Sequence, residues 1–115
     1  MQAGRLDQRI TIERWDYLRD SNGEVIQDPL TGETTQLWVE IARVWAAVEP
    51  LNGREFIAAQ AVQSEITTRI RMRYRADLQP ADRIDHEGTL YDIQSIINPR
   101  SGDAELVLMC KAVAG

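Results

Sequence analysis

Residues 66–75 read Ile66-Thr67-Thr68-Arg69-Ile70-Arg71-Met72-Arg73-Tyr74-Arg75, and the alternation in this stretch decides the fold. Ile66, Thr68, Ile70, Met72 and Tyr74 share one face, while Thr67, Arg69, Arg71, Arg73 and Arg75 share the other. A helix would scatter both sets around its axis, whereas a period of two puts every core side chain on one side of a strand. Guanidinium groups two positions apart on a strand lie about 7 Å from each other and repel by only about 0.6 kcal/mol in water. Carboxylates on a neighbouring strand or subunit easily offset that. The stretch therefore predicts a half-buried strand with an arginine ladder on its outer face.

The same period recurs on both sides. Arg9–Glu13 alternates Ile10 and Ile12 with Arg9, Thr11 and Glu13, and predicts the first strand. Leu90–Ile97 and Ala104–Val113 are rich in Ile, Val and Leu between turn residues, and predict two more. Leu37–Val48 is strand-like, but Trp38, Ile41, Trp45 and Val48 do not alternate strictly, and a bulge near Ala42–Arg43 would restore the pattern. Gly53–Gln63 is rich in Ala and free of Pro, with Asn52 placed to cap it and Glu55 three residues on, and predicts one short helix. Asp16–Gln36 contains Gly23, Pro29 and Gly32 and reads as a long irregular loop after strand one. Together these elements predict an all-β fold: a small antiparallel barrel or sandwich with one short inserted helix, as a single domain over residues 1–115.

Composition narrows the function. Lys plus Arg is 13 and Asp plus Glu is 18, giving a formal net charge of −5. A clamp on duplex DNA needs a basic surface to displace counterions from phosphates, so that class is disfavoured. With one cysteine, Cys110, no internal disulfide can form, and no run of residues approaches the ~18 apolar positions of a membrane span. Nothing reads as a phosphate-cradling glycine loop or a cofactor motif. His86 is the only histidine and falls in the turn-like Asp85-His86-Glu87-Gly88, where it is expected to be exposed. Consecutive Asp85, His86 and Glu87 point in different directions and do not make a metal site. Cys110 is expected as a small core residue and not as a nucleophile paired with His86. No enzyme is expected.

A set of short motifs runs in order along nearly the whole chain. The motifs are Gly4-Arg5-Leu6-Asp7-Gln8-Arg9-Ile10-Thr11-Ile12, Asp20-Ser21-Asn22-Gly23-Glu24, and Val44-Trp45-Ala46-Ala47-Val48-Glu49-Pro50-Leu51. They continue with Gly53-Arg54-Glu55, Ile70–Arg75, Arg83-Ile84, Gly88-Thr89-Leu90-Tyr91-Asp92-Ile93 and the Leu106–Cys110 strand. Together these motifs resemble the head–tail joining (head-closure or stopper) proteins of tailed phages. The resemblance implies a structural connector made in the host cytoplasm and placed in the virion neck. It would form a homo-oligomeric ring below the portal, retain packaged DNA and offer a docking surface to the tail. Its implied partners are further copies of itself, a portal or adaptor protein, and a tail completion or tail tube protein. DNA would pass nearby without sequence-specific binding, and no membrane or cofactor is implied.

Three surfaces are candidates for that work. Arg69, Arg71 and Arg73 could meet acidic residues of the next subunit, or could form a solvated face crossed by ion pairs. The long loop carries Asp20, Glu24, Asp28 and Glu33 with only Arg19 to oppose them, and an acidic wall facing a channel would not hold phosphates. Trp15, at the mouth of that loop, is the candidate contact aromatic, with Trp38 and Trp45 expected in core and rim packing. An alternative is a small barrel that binds single-stranded nucleic acid or a peptide, which needs exposed aromatics beside basic residues. Tyr74 alternates away from the arginine ladder, which weighs against it.

Overall fold

The computed structural model describes residues 5–62 and 65–113. Six strands close into an antiparallel barrel: β1 (Gln8–Tyr17), β2 (Gln36–Pro50), β3 (Thr68–Arg73), β4 (Arg83–His86), β5 (Thr89–Ile97) and β6 (Glu105–Val113). Their order around the wall is β1-β2-β3-β6-β5-β4, and β4 returns to β1 through Ile12↔Ile84. One helix, α1 (Gly53–Val62), joins β2 to β3, as the Ala-rich stretch predicts. Gln63 and Gly4 lie outside the described residues.

Alternation fills the lumen. Ile10 and Ile12 of β1, Ala46 of β2, Ile70 and Met72 of β3, and Ile84 of β4 turn inward. Ile93 of β5 and Leu106, Leu108 and Cys110 of β6 complete the core. A small barrel is just wide enough for such side chains, so its centre is packed solid and is not a pore. Truncating Ile70, fully buried, to Ala would cost about 3 kcal/mol or more, because the rigid wall cannot collapse into the gap.

Two bulges bend the longer strands into the wall. Ile12 pairs with Ala42 and Glu13 with Glu40, which leaves Ile41 as the extra residue in β2, one position before the expected bulge. In β5, Ile93 pairs with Cys110 and Ser95 with Met109, leaving Gln94 as the extra residue. Each bulge adds local twist and lets the ladder turn a corner. Between β4 and β5, His86↔Thr89 brackets a two-residue turn in which Glu87 and Gly88 both have positive φ, 52° and 88°. That primed geometry matches the strand twist and favours Gly at the second position.

Beyond Glu13 and before Ala46, β1 and β2 pair only with each other, so their hairpin leaves the barrel as a two-stranded arm. It accounts for the elongated shape, 58 × 28 × 26 Å. The expected irregular loop is shorter and more ordered than its composition implies. Asp16 and Tyr17 belong to β1, Gln36 to β2, and the remainder folds as two tandem turns.

Candidate assembly surface

The arm ends in backbone hydrogen bonds that continue the ladder. The Leu18 N–H donates to the Thr35 carbonyl at 2.7 Å, the Ile26 N–H to the Leu18 carbonyl at 2.8 Å, and the Asp28 N–H to the Glu33 carbonyl at 2.7 Å. Short bridges join Arg19 to Val25 and Gln27 to Thr34. In the first turn the Asp20 carboxylate accepts the N–H groups of Asn22 and Glu24 at 2.9 and 3.0 Å. In the second, Asp28 accepts those of Leu30 and Thr31 at 2.8 and 3.2 Å. These acidic side chains thus build the turns as well as charging them. Asp20, Glu24, Asp28 and Glu33 are all exposed, and Leu30 projects from the second turn 93% exposed.

Trp15 is half in solvent and meets Trp38 edge-on, centroids 5.6 Å apart, across the arm. Arg83 lies over the Trp38 ring at 4.1 Å and bonds Glu13 at 2.6 Å. Arg14 fixes the base of the arm to the loop before β4 through Asp82, with bonds of 2.8 and 3.0 Å. Hydrogen bonding to Asp82 raises the Arg14 pKa against the opposing effect of burial.

The arginine ladder faces outward, as the alternation predicts, and its first two members are held within the chain. Arg69 bonds Glu49 at 3.0 Å and pairs with Glu55 of α1. Glu55 therefore braces the helix onto the barrel through Arg69. Arg71, only 12% exposed in its side chain, bonds Glu49 at 3.2 and 3.3 Å and Glu105 at 3.4 Å. The Arg71 hydrogen bond, with help from Arg69, holds the Glu49 carboxyl below its ordinary value despite desolvation. Burial alone would lower the Arg69 pKa, but its bonds to Glu49 and Glu55 raise it overall.

Arg73 is exposed and has no ion pair among the described residues. It joins Arg9, Arg43 and Arg75 around a shallow pocket of about 340 Å³ whose other lining residues are Val44, Trp45 and Tyr74. Arg9 stacks over Trp45 at 4.8 Å, Arg43 reaches Glu40 at 3.5 Å, and Arg75 bonds Asp77 at 3.0 and 2.9 Å. Here one expectation fails. Trp45 is not core: it is 53% exposed, because buried Ala46 pairs with Gln8 and Met72 and turns its neighbour outward. Tyr74 packs against the core, as the alternation predicts, and also lines this pocket. Arg9 and Trp45 are direct cross-strand partners, a relation that needs the β1–β2 register, which spacing along the sequence does not give.

The remaining candidates are structural. His86 ends β4 half-buried, with Nε2 3.0 Å from Gln8 Oε1, and so is not the exposed turn residue expected. Cys110 is buried, and desolvation pushes its thiol up to about 12. It sits in the core as expected, with its Sγ directed at the Leu108 carbonyl and no histidine beside it. Among the described residues no group of three His, Cys, Asp or Glu side chains converges as metal ligands.

A small solid-cored barrel bearing a charged arm and a basic aromatic pocket defines a protein that works through its outer surface. Residues 1–113 match the family model described as phage head completion protein, and the chain belongs to that family. It is 27% identical to head completion protein gp7 of Enterobacteria phage HK97, over 99% of this chain and 98% of the relative. It resembles the solution structure of protein SF1141 from Shigella flexneri 2a at a TM-score of 0.74, with 29% identity over 99% of this chain and 98% of the other. A chain in the virion of a native gene transfer agent particle shares the fold at a TM-score of 0.57 and 15% identity, covering 98% of this chain and 100% of the other. The protein is thus a structural component of the virion, with a head–tail role among other virion proteins, and not an enzyme.

Proposed function

We propose that the protein closes the filled head as one subunit of a ring seated below the portal, retaining packaged DNA and presenting a docking surface to the tail. The observation that carries this reading is the packed barrel interior. DNA cannot thread a lumen filled by Ile, Leu and Met, so a passage has to run between subunits. Copies arranged about an axis supply one. The acidic arm fits the wall of such a passage, where Asp20, Glu24, Asp28 and Glu33 repel phosphates and let DNA slide without adhering. On this reading Arg73 and the outer edges of Arg69 and Arg71 face a neighbouring subunit, and Trp15 meets a partner at the arm's base. Portal or adaptor lies on one side of the ring and a tail completion or tail tube protein on the other. Assembly draws the subunit from the host cytoplasm into the neck.

Particles assembled without the protein test the reading. Heads should package DNA, then lose it and fail to accept tails, and added purified subunit should restore both. Stable, DNA-filled heads in its absence would overturn the retention role.

A further inference from the structure

The Arg-rich pocket and the Leu30 turn are complementary in two independent ways. The pocket is lined by the apolar Val44, Trp45 and Tyr74 together with Arg9, Arg43, Arg73 and Arg75, and the Arg9 guanidinium lies over the Trp45 ring. The turn presents one fully projecting apolar side chain, Leu30, flanked by the carboxylates of Asp28 and Glu33. Apolar knob meets apolar lining while acid meets base, the arrangement that selects a partner and fixes its register. The basic cluster is also unusual in a chain of net charge −5, so its natural counterpart is an acidic surface.

The two features cannot meet within one subunit. Arg9 stands near the start of β1 and the arm leaves from its far end at Tyr17. Eight residue steps along the strand separate them by roughly 26 Å, and Leu30 lies beyond that, in the second turn of the arm. The strands between are fixed by the β1–β2 ladder and the Arg14–Asp82 clamp.

We infer that the Leu30 turn of one copy seats in the Arg9–Trp45–Arg73 pocket of the next copy. The contact joins two different surfaces of identical chains, so it propagates head to tail and closes into a ring when the rotation permits. The inference rests on the ring reading and deepens it by naming the contact. Asp20 and Glu24, in the other turn, stay free to face a channel, so this contact moves Asp28 and Glu33 from the channel wall of the ring reading to the subunit boundary. Single-stranded nucleic acid is the competing occupant, since stacking on Trp45 beside arginines would suit it.

Particles assembled with a Thr31→Cys, Arg73→Cys double variant provide the test, with buried Cys110 as a silent background thiol. Mild oxidation should yield a covalent ladder of this subunit alone. No ladder from necks that still hold many copies would overturn the docking contact and leave the ring standing. Necks holding a single copy would overturn the ring reading itself. A cross-link to a different virion protein would also overturn the inference. So would a purified subunit that binds an oligothymidine through Arg73 in place of the arm. Charge exchange gives a second readout that does not depend on cysteines. Glu33→Arg and Arg73→Glu should each lower incorporation about tenfold, and the two together should recover most of it, because the attraction is restored with its sign reversed. Additive loss in the pair would count against the contact.

Discussion

Arg14 on β1 and Asp82, 68 residues along the chain, form a two-pronged ion pair in which the carboxylate is wholly buried. Asp82 also accepts the Gln79 N–H at 2.9 Å, and Arg14 donates to the Asp77 carbonyl at 2.7 Å. One pair thereby closes the barrel, shapes the loop before β4 and anchors the arm.

Replacing Asp82 with Ala should therefore destabilise the protein by about 3 kcal/mol, because Arg14 and the Gln79 N–H lose their acceptor together. In a domain of this size that is a fall in Tm of roughly 10 °C or more. Asp77→Ala, at an exposed carboxylate, should shift it far less. Equal shifts in thermal melts of the two variants would show the clamp to be unimportant.

Arg71 and Arg73 should separate folding from assembly. Arg71 is wedged between Glu49 and Glu105, so Arg71→Glu gathers three carboxylates and should cost about 2 kcal/mol of stability. Arg73→Glu alters an exposed, unpaired position, and its melt should stay within about 0.5 kcal/mol of the parent. The comparison is two denaturant titrations of the free subunit.

The depressed pKa of Glu49 makes a pH signature. A carboxyl held below its ordinary value of 4.5 contributes stability that is fully present above that value. That contribution is lost as pH falls through the lower, folded value. Glu49→Gln should therefore be less stable than the parent at about pH 6, with the gap narrowing toward about pH 3. Chemical denaturation at the two pH values measures it, and a gap that widened in acid would reverse the assignment.

Cys110 should be inert in the folded protein. With its thiol buried and pushed up to about 12, almost no thiolate exists near neutrality and no reagent can reach it. An aromatic disulfide reagent should label it only in denaturant. Prompt labelling of the native protein would mean that β6 opens readily.

Much of this architecture was legible in the sequence because alternation reports burial directly. The β3 ladder and the first strand follow from it, while β5 and β6 follow from their Ile, Val and Leu content between turn residues and the helix from its Ala-rich, capped stretch. The failures share a cause in geometry that spacing does not encode. Trp45 reads by its bulk as core, whereas the small Ala46 beside it takes the inward position and leaves Trp45 outside. Order in the arm comes from Asp20 and Asp28 accepting nearby N–H groups, a pattern with no period to detect. Asp82, two residues after Pro80, carries no signal in the sequence, and only the folded loop reveals it as the buried partner of Arg14.

Barrel closure sets the order in which the chain can fold. The β1–β2 hairpin is local and can form early, but β1 has no second neighbour until Arg83–Asp85 have emerged to meet Thr11–Glu13. During synthesis the hairpin waits with both edges open, and open edges recruit other strands. Such distant pairing belongs to topologies that fold on the order of milliseconds to seconds. The ion-paired arginines on β3 then have a second use, as gatekeepers that keep nascent copies apart until each has sealed its own wall.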